Sequence, residues 1–122
     1  MIRVMLCCSA SGEFRLCEAS GHAGFARREK DIVCSAVTVV LRSAVHLLSN
    51  LCDLHKESVS IITEASSRGN LSFRIVANEK EMVPLEVVIR LMCIADFIRD
   101  GVGSVSKEYP SCVQLSECTL DF

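Results

Sequence analysis

Between Ile32 and Cys52, apolar residues recur at steps of three and four: Ile32, Ala36, Val37, Val40, Leu41, Ala44, Val45, Leu48, Leu51 and Cys52. This is the period of a helix, and the stripe it makes is wide enough to face a sheet. Such a helix gains most of its stability by burying that stripe, so the flanking segments must supply the surface that covers it. Asp31, just before the stripe, is the expected N-cap.

The flanking segments have the strand period. Ile2, Val4, Leu6 and Cys8 alternate with Arg3, Met5 and Cys7. Ser9-Ala10-Ser11-Gly12 supplies a turn, and Phe14, Leu16 and Glu18 alternate with Arg15 and Cys17, completing a hairpin. Gly21 to Lys30 has no regular period and reads as a loop. After the helix, Val59, Ile61 and Thr63 share one face of a strand over 57–65. Ser66-Ser67-Arg68-Gly69 turns the chain, and Leu71, Phe73 and Ile75 alternate on the return. A second helix begins near Glu81 to Pro84, where a proline in the first turn forfeits no helical hydrogen bond. It runs through Leu85, Val88, Ile89, Met92 and Ala95 to Arg99, with Gly101 as its C-terminal cap. Val113 and Leu115 mark a last short strand.

The expected fold class is a two-layer α+β sandwich of order ββαββα(β), a mainly antiparallel sheet with two helices on one face, in a single domain over 1–122. The opposite sheet face would carry Met5, Cys7 and Ile62. It is apolar enough to predict a partner, most simply a second copy of the chain.

Composition narrows the function. Half the residues are hydrophobic and 23% are charged, with a formal net charge of −2. The basic residues are scattered, so nothing predicts direct nucleic-acid binding. The N-terminus lacks the basic and apolar regions of a signal peptide. The apolar stretch from Ile32 to Leu48 is interrupted by Arg42 and His46 and is shorter than the roughly 20 residues of a bilayer span. A cytoplasmic protein with no membrane association is expected. The eight cysteines contain no C-x2-C pair, so neither a metal site nor a disulfide scaffold is predicted, and no cofactor is expected. Most of them read as small buried hydrophobes.

Cys34 is the exception. With Asp31 as cap, Cys34 falls in the first helical turn, where unpaired N–H groups and the helix dipole favour a thiolate. His22, across the loop, is the base within reach of such a thiol. The same N–H groups would stabilise an oxyanion. From spacing alone, coincidence and a Cys–His nucleophilic pair both remain open. His46 in mid-helix and His55 past the helix end are expected to be structural or solvated.

Read as a whole, Gly21-His22-Ala23, a short loop, and then Asp31-Ile32-Val33-Cys34 entering an apolar helix resembles the ribosomal-processing cysteine protease family, often called Prp. The likeness of pattern runs over nearly the whole chain, including Tyr109-Pro110 before the final strand. The resemblance implies a homodimeric bacterial endopeptidase with a Cys–His dyad on Cys34 and His22. Its substrate would be the precursor of a large-subunit ribosomal protein, which loses a short N-terminal extension. The resemblance implies cleavage after a phenylalanine, hence a groove for an aromatic side chain, and a mobile loop that admits the peptide. Gly21, Ala23, Gly24, Ser35 and Thr38 would belong to the substrate loop or pocket. Asp31 would cap the helix or orient His22.

The chain departs from the family pattern in three places. Glu29 stands where a glycine is usual, and a backbone needing φ > 0 there would be strained. Ser35 replaces an alanine, and Thr38 replaces a serine while keeping the hydroxyl one turn from Cys34. Arg27, Arg28 and Lys30 make the loop basic. Three other readings share this sequence. Glu29 suits a non-catalytic ribosome-associated binding protein of the same fold. The cysteine count suits a thiol-redox or metal-binding protein. A structural dimer would show no unusual thiol.

Overall fold

The apolar repeats close one mixed sheet under two helices. The computed structural model describes residues 1–21, 28–66, 69–78 and 82–120. In chain order the elements are β1 (Ile2–Cys8), β2 (Phe14–Ser20), α1 (Arg28–Leu54), β3 (Val59–Ser66), β4 (Asn70–Ala77), α2 (Leu85–Glu108) and β5 (Val113–Thr119). The sheet order is β3-β4-β2-β1-β5. All pairs are antiparallel except β1 with β5, which run parallel. The two-layer α+β expectation holds, and the final strand is full length.

The first turn uses its small polar residues as expected. Ser9 Oγ accepts from the Glu13 N–H at 3.1 Å, and Gly12 takes a φ of +92° that only glycine adopts freely. β2 departs from simple alternation. Cys7 pairs with Leu16 but Cys8 with Phe14, so Arg15 is an extra residue in a β-bulge. The bulge reverses the phase: Phe14 and Cys17 both point into the core, while Leu16 and Glu18 lie on the other face. The Phe14 and Phe73 rings stack with centroids 5.5 Å apart, which packs the neighbouring strands β2 and β4 together on the core face of the sheet.

The inner stripe of α1 is Val33, Val37, Leu41, Ala44, Leu48 and Leu51, each at most 3% exposed. Val33 takes the place expected for Ile32, which faces outward. By length and composition Ile32–Leu54 would cross a bilayer, yet this inner stripe is sealed within the core cluster. Met5, Cys7 and Ile62 lie on the face away from the helices, as expected, and share it with Glu18, Glu64 and Arg74. Cys7 is joined there to Cys118 by a disulfide that the cysteine spacing does not mark, while the other six cysteines are free. The two residues face each other across the β1–β5 ladder with Cα atoms 4.7 Å apart. That separation suits a cross-link.

Gly101 is not a cap. Proline 84 is the N-cap of α2, and the helix continues through Gly101 and Gly103 to end at Tyr109, whose N–H bonds to the Val105 carbonyl oxygen at 2.8 Å. Gly101 lets α2 pass close to α1, because a Cβ there would lie 2.7 Å from Val40 Cγ1. Gly103 has nothing within 4 Å of the same position. The two glycines should therefore respond oppositely to alanine. Gly103→Ala is expected to stabilise by about 0.5–1 kcal/mol through helix propensity. In Gly101→Ala that gain is offset by about 1–3 kcal/mol of overpacking. Denaturant midpoints on opposite sides of wild type are expected, and equal shifts would refute the close crossing.

Candidate active site

α1 begins at Arg28, a turn before its expected start. Asp31 is therefore inside the first turn rather than at the cap, and Cys34 lies in the second turn. The amides left free at the helix entrance belong to the turn preceding Cys34. This corrects the expectation that they surround its sulfur. The side chain of Asp31 lies outside the described residues, as do His22, Ala23 and Gly24 and the side chain of Glu29.

Cys34 is half-buried and lines a groove of about 510 Å³. One wall is α1, which presents Cys34, Thr38, Arg42 and His46 at successive four-residue steps, with Val37, Leu41 and Val45 beside them. The facing wall is made by Ala19, Ser20 and Gly21 at the end of β2, Thr63 and Ala65 of β3, and Asn70 and Leu71 of β4. The floor is apolar and the rim is polar, which suits an extended peptide whose side chains alternate between the two.

Gly21 and Thr38 thus join Cys34 in the groove, whereas Ser35 is exposed outside it. Gly21 has a positive φ of +106°, and a Cβ there would run into the carbonyl oxygen of Met1. No other residue fits this close approach, which fixes where β2 delivers the chain to the loop. Sequence reasoning passed over Arg42, Ser20, Thr63 and Asn70. The four-residue spacing of Cys34, Thr38, Arg42 and His46 was the signal for the helical part; nothing local marks the sheet residues.

His46 lies in the groove but about 18 Å along the α1 axis from Cys34, at ~1.5 Å rise per residue. His55 is past the helix end, with Nε2 3.7 Å from Glu86 Oε2. Neither reaches the Cys34 thiol.

Several other thiols are set apart by burial. Desolvation pushes the Cys17 thiol up to about 12 from 9.0, and it also raises Cys52 and Cys8, the last against the opposing pull of the Arg99 guanidinium. Cys17 stays protonated in the folded chain where the unfolded chain has already ionised. Its contribution to stability is therefore complete below pH 9 and is lost as the pH rises towards about 12. Over this window stability should fall by up to about 1.4 kcal/mol per pH unit on this account. Cys17→Ala should flatten the decline in unfolding free energy measured against pH; an unchanged slope would remove Cys17 as its cause.

A half-exposed thiol in a cleft shaped to suit an extended peptide fits a thiol-dependent peptidase. The chain belongs to the Prp cysteine proteases: the model of that family, described as Cysteine protease Prp, matches residues 1–114. Three solved structures share the fold. SMU.848 from Streptococcus mutans has a TM-score of 0.71 at 21% identity, covering 98% of this chain and 96% of that one. The essential ribosomal processing protease Prp from S. aureus, in complex with a substrate peptide, gives 0.70 at 17% identity, covering 97% and 100%. The same S. aureus protease with a covalently linked product peptide gives 0.66 at 19% identity, again covering 97% and 100%. No curated protein matches the chain.

Proposed function

We propose that this protease uses Cys34 as nucleophile and His22 as base to remove the N-terminal extension of a large-subunit ribosomal protein, acting as a homodimer in the cytoplasm. The observation that carries this reading is the shared groove. Gly21, which is bonded directly to His22, and Cys34 line the same cleft from opposite walls. Of the three histidines in the chain, His46 and His55 are too distant to serve the thiol, which leaves His22.

In the proposed reaction His22 takes the Cys34 proton and the sulfur attacks the scissile carbonyl carbon. The tetrahedral species collapses to a thioester as the leaving amine takes the proton from the imidazolium. Water activated by the same imidazole then releases the new carboxylate. The product peptide held covalently in the S. aureus protease supports a step of this kind. Asp31 stands three residues before Cys34 in α1 and would orient the imidazole. Val37, Leu41 and Leu71 supply an apolar bed for the phenylalanine before the cut. Large apolar side chains left exposed, among them Ile62 on the outer sheet face and Val39 and Ile89 on the helices, favour a second copy as partner.

The deciding experiment is incubation with a peptide spanning the extension of the host's ribosomal protein. Cleavage after the phenylalanine by wild type and none by Cys34→Ala is the expected result. Equal cleavage by both would end the assignment.

A further inference from the structure

The groove has a charge that the hydrolytic chemistry does not use. Arg42 and His46 line its far end, and among the described residues none that lines it is acidic, in a chain with 15 acidic residues against 13 lysines and arginines. Arg15, Arg90 and Arg99 each hold a carboxylate of their own at 2.8, 3.3 and 2.7 Å. Arg42 pairs with none among the described residues, and its neighbours one turn away, Thr38 and His46, cannot neutralise it. The opposite wall offers Thr63 and Asn70, which accept or donate hydrogen bonds but bring no charge. An exposed guanidinium kept unpaired beside an apolar cleft is a ready partner for a carboxylate arriving with a ligand.

Helix geometry sets where that carboxylate must sit. Arg42 is about 12 Å and His46 about 18 Å along α1 from Cys34, at ~1.5 Å per residue. An extended peptide advances ~3.3 Å per residue, so the cationic end meets the residue roughly four to five positions from the bond at the sulfur. We propose that Arg42, flanked by His46, forms a specificity subsite that selects peptides carrying an aspartate or glutamate four or five residues from the scissile bond. This rests on the protease reading of the same groove and adds to it a residue that positions the substrate.

The test uses the extension peptide synthesised with glutamate or glutamine at the fourth and fifth positions on either side of the cut. Two readouts are taken: kcat/KM with active enzyme, and fluorescence anisotropy binding with the Cys34→Ala variant, which needs no cleavage. On one side of the cut, the glutamate peptide should be favoured by about threefold to tenfold in both readouts, as for a charge-assisted contact at a partly exposed site. Arg42→Gln should bring the glutamate-to-glutamine ratio close to one, and Arg42→Lys should restore part of it. Raised salt should shrink the preference in wild type. A ratio near one in wild type, or a preference that survives Arg42→Gln, overturns the subsite while cleavage of the peptides leaves the protease standing. Charge-dependent binding by Cys34→Ala with no cleavage by the active chain would instead support the subsite and refute the peptidase reading.

Discussion

Cys34→Ala is expected to lower kcat/KM on the extension peptide by about four orders of magnitude or more, which corresponds to roughly 5.5 kcal/mol of lost transition-state stabilisation. The effect is large because in the proposed reaction the sulfur forms the covalent bond, and no other thiol lines the groove among the described residues. Folding should be preserved, since Cys34 is half-buried and alanine suits the second turn of a helix. His22→Ala should cost about 10²–10⁴, the range for a general base, and should also remove the inflection near neutral pH from the kcat/KM profile. Histidine 55 is the control. It sits against Glu86 away from the groove, so His55→Ala should stay within about twofold of wild type. Full activity in His22→Ala would show that the proton leaves by another route, and a loss in His55→Ala equal to that in His22→Ala would attribute both to folding.

The parts of this architecture that are local in sequence could be read before any coordinates. Period-two alternation placed β1, β3 and β4 with their faces correct, and the three-and-four period placed α1 against a sheet. Reading failed where a neighbour far along the chain decides the outcome. The bulge at Arg15 turns Phe14 and Cys17 onto one face because Phe14 must meet Phe73. No alternation within β2 reveals that. Gly101 looked like a helix stop, but its missing side chain is required by Val40 on the other helix. The same division holds at the site. Cys34 stood out by its position near a helix entrance, and Gly21 by its motif. The groove beside them is completed by Thr63, Asn70 and Leu71, which only the sheet order β3-β4-β2 brings opposite α1. A residue pattern carries a helix face; it does not carry what the topology sets against that face.

Reducing the Cys7–Cys118 disulfide is expected to destabilise the fold by about 2–4 kcal/mol, the second large effect. The cross-link closes a loop with a sequence separation of 111 residues, so opening it returns nearly the whole chain's freedom to the unfolded state. The chain-entropy ceiling for a loop of ~100 residues is near 4.7 kcal/mol. The bond also reinforces β5 at the far end of its ladder with β1. This strand is at the sheet edge, pairs only with β1, and is exposed over most of its length beyond Val113. Contacts that remain after reduction include the β1–β5 ladder, the Arg99 Nε–Glu117 Oε1 ion pair at 2.8 Å, the bond from the Leu120 N–H to the Cys8 carbonyl oxygen at 2.8 Å, and the Ser106 hydroxyl donating to the Val113 carbonyl oxygen at 3.0 Å. The ion pair is partly exposed and so contributes at most about 1 kcal/mol. Urea unfolding with and without a thiol reductant should show midpoints separated by about 1–2 M, given a slope of ~2 kcal/mol per M. Cys118→Ser should match the reduced wild type and ignore the reductant. Under reducing conditions the protein would work in this less stable form, with β5 held by its ladder and the Arg99 pair. Superimposable curves for oxidised and reduced wild type would mean that the two sulfurs stay unlinked in solution, and that the β1–β5 ladder alone secures the edge.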